Sequence, residues 1–511
     1  MQTRLLLAGL VTGLALPLAA QESVPLSAIN WLSTAAPPSR MPGTVLLEPP
    51  VAVTALSPEI SVAPLEALMP PIGLVGPSAT GLPVDLWKGS QAETLTRLIA
   101  EVPVRGHPAM QALLFTLLLA ETRPPSGSGS EESIILARLD RLMDLGAPDP
   151  AQALAQQAGP TDTSARFARW FDATLLTGDE DRSCAALTAR PQLSPQYTAR
   201  VFCALQRGDW PTAALLADTA ATLGLLSTAD YALLDRYLSP EMAELAPPLP
   251  HPQSPSPLEF RLFESIGEPM PTPPLPRAFA AADLRDLAGW KAQLEAAERL
   301  TRAGALNPNH LLGLYSQRQP SASGGIWDRV DALQDFEKAL NSGESEQVAA
   351  TLPPAWAAMQ EAGLEVAFAE LFAAELGNIA LEGQAATLAW RIQLLSPDYE
   401  TVAATAPGNS RTNTFLAALA MGDPGRASPP SARARAISAG FNPETKVPTD
   451  LQRHLDRGQL GETILRSMIL FDSGATGNHA SLTGALATLR AVGLEDTARR
   501  AALQLMILGN S

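Results

Sequence analysis

The chain has 511 residues, with 36 Lys and Arg against 52 Asp and Glu, and a formal charge of −16. An acidic surface of this size repels nucleic acid and anionic lipid, so neither is expected as a partner. The only lysines are Lys88, Lys291, Lys338 and Lys446; the Arg preference is a bias of composition, not a binding signal.

Residues 1–20 read as a secretory signal peptide: Arg4, the apolar run "LLLAGLVTGLAL", then small residues with cleavage expected near Ala20. Loss of Arg4 takes the charge from −16 to −17. No Cys follows the run, which argues against a lipid anchor. No later stretch reaches the ~20 apolar residues that span a bilayer. The expected location is the periplasm or the exterior, with no transmembrane segment.

Residues 21–89 read as a proline-rich extended arm, with 12 Pro between 21 and 83. Proline fixes φ and removes a donor, so such density disfavours helix. A second such segment, 246–277, carries 11 Pro between 247 and 277, around "LEFRLFESIG". Leu258, Phe260, Leu262 and Phe263 are too apolar to float free, so this linker is expected to strap onto a helical surface.

Residues 90–245 and 278–511 follow one pattern of cap, early proline, a dozen residues with apolar spacing of three and four, then Gly. Ser90 with Glu93 reads as a capping box. Pro108, Pro150 and Pro195 open helices, Asp209 with Pro211 opens another, and Ser227 opens "TADYALLDRYL". In the second region, 282–304 reads as one helix with Leu284, Leu287, Trp290, Leu294 and Leu300 on a broad face. Such helices must stack to bury their stripes. The expected fold is all-α: an α-solenoid of antiparallel helix pairs, tetratricopeptide-like but without the strict 34-residue consensus.

Candidate chemistry is sparse. "ILFDSGATG" around Asp472 matches an aspartic-protease string, but that enzyme needs two such turns between strands so that two carboxylates share a proton. Here the flanking apolar spacing is helical. Asp472 is expected at a helix C-terminus, Gly474 as its left-handed stop, and Asn478 as the next cap. His107, His251, His310, His454 and His479 show no metal-ligand spacing. The Glu-Ser pairs at Glu132, Glu264 and Glu344 lack the context of a muramidase-like transglycosylase. No phosphate loop, nucleophile elbow or dinucleotide motif is present. No catalytic residue, metal ligand or cofactor is therefore expected.

Cys184 and Cys203 are the only cysteines and, in an exported chain, are expected to pair. Counted from the intervening loop along two antiparallel helices, they differ in height by roughly 3 Å at 1.5 Å per residue.

The stretches "GWKAQLEAAERLTRAG", "SASGGIWDRV" and "ATLRAVGLEDTARRAALQLMIL" resemble a group of exported proteins of marine alphaproteobacteria, some labelled "antifreeze glycopeptide polyprotein". The resemblance implies an exported helical protein. The label matches the triplets Ala220-Ala221-Thr222, Ala349-Ala350-Thr351, Ala385-Ala386-Thr387 and Ala403-Ala404-Thr405. Isolated copies cannot set the regular Thr row of a tandem repeat, so the label reads as compositional. The leading expectation is a non-catalytic scaffold that binds another envelope protein or a peptide. The alternatives are a cell-wall-related enzyme whose site is dispersed in sequence, and an ice-binding protein.

Overall fold

The computed structural model describes residues 70–509 apart from 128, 244, 245, 286, 321, 322 and 409. The signal peptide and arm residues 21–69 lie outside the described residues. Among those described, the regular structure is helical, and the only pairing of extended backbone is two isolated bridges, Ile72 with Thr122 and Val75 with Ala120.

Helices of eight residues or more are numbered in chain order. The first ten are α1 Ala92–Glu101, α2 Pro108–Leu119, α3 Ser130–Leu145, α4 Pro148–Gln157, α5 Ser164–Thr177, α6 Glu180–Ala189, α7 Tyr197–Gln206, α8 Trp210–Thr222, α9 Thr228–Leu238 and α10 Pro257–Ser265. Then come α11 Trp290–Thr301, α12 Pro308–Tyr315, α13 Ile326–Ser342, α14 Ser345–Ala362, α15 Glu365–Leu376 and α16 Gly383–Gln393. The last six are α17 Arg411–Ala420, α18 Ala432–Phe441, α19 Thr449–Asp456, α20 Leu460–Ala475, α21 His479–Ala491 and α22 Glu495–Ile507.

Several starts follow directly from side-chain chemistry. Asp209 accepts from the Thr212 amide at α8, Ser227 from Asp230 at α9, and Asn478 from Ser481 at α21, each satisfying an orphan donor of the first turn. The proline-rich 246–277 segment contains α10, opened by a full capping box between Ser256 and Glu259. Its Leu258, Phe260, Leu262 and Phe263 are buried, and it packs on α5 and α9. Arg261 pairs with Glu180 of α6 and with Glu264, and Glu264 also binds Arg285 at 2.6 Å.

Two hydrophobic cores result. The main one joins residues between Leu82 and Ala282 to residues between Trp390 and Met506, so it crosses most of the sequence. The second is built from Ala280 to Leu395. Ala305 and Ile507 pack against both.

The first helices are held by the last. α1 packs on α20 and α2 on α22. The Gly461 amide donates to Leu86 O at 2.9 Å, and Gln459 Nε2 donates to Gly89 O at 2.7 Å. Trp87 is fully buried, its indole nitrogen donating to Thr122 Oγ1 at 3.0 Å. A Cβ on Gly461 would sit 2.4 Å from the Trp87 ring, so only Gly permits this approach. Arg138 of α3, 1% exposed, donates to Leu118 O, Ile72 O and Ala120 O, tying residues 70–75 to the end of α2. Burial pushes its guanidinium down to about 10.

Three local expectations are corrected. α1 starts after Gln91, and Ser90 is no cap: its hydroxyl is buried without a hydrogen-bond partner. Residues 282–304 are not one helix. The short Ala280–Asp283 turn ends early, the chain bends, and α11 starts at Trp290, leaving Leu287 77% exposed. Gly474 is not a left-handed stop but lies inside α20. A Cβ there would meet the Leu482 backbone at 2.6 Å, so it is the crossing point of α20 and α21, and the turn is made by Gly477 at φ 120°.

Candidate functional site

Most of the candidate residues named from sequence have structural partners, whereas the His310 and His479 side chains are exposed. Asp472 sits in the last turn of α20, where its Oδ1 lies 3.1 Å from His107 Nε2, and the His107 ring meets Phe471 edge-on at 5.5 Å. Glu132 binds Arg166 at 2.6 Å and accepts from Thr163; Glu264 bridges Arg261 and Arg285; Glu344 accepts from Gln347. His454 contacts Gln459 at 2.6 Å, and His251 packs edge-on to Phe263. Among the described residues, no group of three or more His, Cys, Asp or Glu could hold a metal ion.

The four Ala-Ala-Thr threonines stand on separate elements. Thr222, Thr351, Thr387 and Thr405 each donate to a carbonyl three or four residues earlier in the chain. Such back-bonding engages each hydroxyl locally.

Cys184 of α6 and Cys203 of α7 are buried, with sulfurs at disulfide distance and Cα atoms 4.9 Å apart. The bend between these helices, through Leu193, brings them side by side.

Two features were not foreseen from sequence. The first is the outer side of α8, whose main neighbours are α7 and α9. This helix buries only the small side chains Ala213, Ala217 and Ala220. Leu215, Leu223 and Leu225 remain 68%, 63% and 52% exposed, and Trp210 at the helix start is 46% exposed. Leu215, Thr219 and Leu223 follow at intervals of four, so they run along one stripe of the helix. Asp209 and Asp218 are exposed on the same helix.

The second is a cavity of about 340 Å³ where the two cores meet. Its walls come from α2, residues 301–308, the start of α15 and α22. Phe115, Leu306 and Leu364 form buried apolar lining, while Gln111, Gln504 and Thr301 are buried polar lining. Arg302 and Glu370 stand at the exposed edge, with Glu365 and Arg500 half-buried. Burial pushes the Glu365 and Glu370 carboxyls above their ordinary range, although Arg302 and Arg500, respectively, pull them back.

A smaller cavity of about 160 Å³ lies beyond Ala305 and Leu306, lined by Asp149 and with His310 exposed beside it. Burial, reinforced by Asp179, pushes the Asp149 carboxyl up to about 6.

These features define an all-helical protein with a cysteine pair at disulfide distance, and no described helix is long and apolar enough to cross a membrane. No protein-family model matches the chain, and neither a curated protein nor a solved structure is similar to it at a significant level.

Proposed function

We propose that this chain is an exported, non-catalytic helical-repeat scaffold whose α8 edge binds another envelope protein. The exposed leucine stripe carries this reading. An outward helix face needs polar residues to remain soluble alone, and the α8 edge presents Leu215 on the helix with Leu223 and Leu225 just past its end instead. Exposed Asp209 and Asp218 on the same helix favour a partner segment with apolar residues flanked by Lys or Arg. The paired packing of α4 with α5, α7 with α8 and α13 with α14 supports a repeat-like, solenoid arrangement.

The test places a photo-crosslinker at Leu223 in cells and identifies adducts by mass spectrometry. One reproducible heteromeric adduct, lost when Leu215→Ser is added, is the expected result. Adducts only with a second copy of the chain, or adducts indifferent to Leu215→Ser, would overturn the partner reading.

The alternative of an enzyme with a dispersed site has Asp149 in its favour, since a carboxyl held near 6 suits proton transfer. If Asp149→Asn abolished an activity on cell-wall fragments while leaving the fold intact, that alternative would replace the scaffold. For ice binding, thermal hysteresis of the purified protein is expected to equal that of an albumin control.

A further inference from the structure

The cavity between the two cores is furnished beyond what packing requires. Gln111, 7% exposed, lines the space. Gln504, 5% exposed, uses Oε1 to accept from the Ala109 amide at 2.8 Å, which leaves its Nε2 donors open. Thr301 Oγ1 and Arg500 Nε are buried without a partner. Buried polar groups are ordinarily satisfied, and two unsatisfied ones beside one cavity, with the free Gln504 amide donors, point to a bound molecule that completes them.

The charges around the same space come as two open pairs. Arg500 and Glu370 are 3.9 Å apart, at the limit of ion-pair contact. Arg302 spends its Nε on Ala362 O, leaving Glu365 within reach of its field but without a direct ion pair among the described residues. A guanidinium and a carboxylate that do not close on each other can each receive an opposite charge. The apolar lining adds a place for an aliphatic side chain between them. At about 340 Å³ the cavity lies at the small end of the roughly 300–1,000 Å³ spanned by ligand pockets.

We infer that this cavity binds a zwitterionic apolar amino acid or very short peptide, its carboxylate received by Arg500 and Arg302 and its ammonium by Glu365 and Glu370. Gln111 and Thr301 would hydrogen-bond the ligand's polar backbone atoms, and Phe115 and Leu306 would pack its side chain. The site is separate from the α8 edge and does not depend on the scaffold reading.

The experiment is calorimetric titration of the full mature chain with the dipeptide Leu-Leu. One-to-one binding is expected. N-acetyl-Leu-Leu-amide, which lacks both charges, should bind at least about tenfold more weakly, the scale of one lost charge-assisted contact. Arg500→Gln should weaken Leu-Leu to a similar degree. Since Arg500 is half-buried, Ala112→Phe provides a second variant. Ala112 lines the cavity but is exposed, so the larger side chain should fill the space, abolish binding and leave the helical circular dichroism unchanged. Leu215→Ser should bind Leu-Leu as the parent does. Absence of binding by Leu-Leu, equal binding by the blocked peptide, or full binding by Ala112→Phe would each overturn the assignment.

Discussion

His107 and Asp472 meet at 3.1 Å across 365 residues of chain, joining the start of α2 to the last turn of α20. The two side chains are 16% and 34% exposed, so solvent screens much of their attraction. Asp472→Ala is expected to cost at most about 1 kcal/mol in urea unfolding, the scale of a partly exposed ion pair or helix-end charge. In a double-mutant cycle with His107→Ala, the second substitution should add little. Loss of a proteolytic activity on Asp472→Ala would instead revive the catalytic reading of that residue.

The close approach of Trp87 to Gly461 leaves no room for a methyl group. Gly461→Ala should destabilise by roughly 1–3 kcal/mol, as overpacking does. Gly313 of α12 has nothing within 4 Å of a built Cβ. There, Gly→Ala should be neutral or stabilise by up to about 1 kcal/mol through helix propensity. Equal unfolding midpoints for the two variants would contradict this account of the N-terminal junction.

Asp172 of α5 has its carboxyl pushed up to about 7 by burial, against the pull of Arg169 and with help from Asp140. The ordinary value for such a carboxyl is 3.8, so between these limits the folded state holds a proton that the unfolded state releases. Stability contributed by this group is therefore complete below about pH 4 and declines as pH rises toward 7. Asp172→Asn should gain in melting temperature relative to the parent over that interval. A difference that is constant from pH 4 to 7 would argue against the buried acid.

Cys184 and Cys203 close a loop with a sequence separation of 19. A bridge of that span should contribute about 3 kcal/mol by restricting the unfolded chain. The denatured, unreduced protein should resist alkylation and gain two labels only after reduction. Two labels without reductant would show free thiols.

Local helix punctuation was legible because its causes are local: the caps Asp209, Ser227 and Asn478 act within three residues. The cysteine juxtaposition followed from rise per residue along adjacent helices. The capping box of Ser256 and Glu259 was equally local, yet the surrounding prolines masked it. Gly474 was misread because a Gly needed for helix crossing looks in sequence like one needed for a turn. Leu287 was misread because apolar spacing alone does not say where the chain bends. The contact of α1 and α2 with α20 and α22 carries no local signature at all. Neither does the cavity between the cores, assembled from four distant segments. The α8 leucines showed helical spacing, but only the packing reveals which side stays uncovered.

Because residues near the start of the chain are completed by residues near its end, the order of synthesis matters. At about 5–20 residues per second, the 341 positions from the end of α2 to the start of α20 take roughly 20–70 s to appear. During that interval Leu86, Trp87 and the apolar side of α2 await their partners, whereas the 280–395 unit can assemble from its own neighbours. The nascent chain thus carries the face around Leu86, Trp87 and α2 uncovered, open to a holding chaperone, until α20 and α22 emerge to close it.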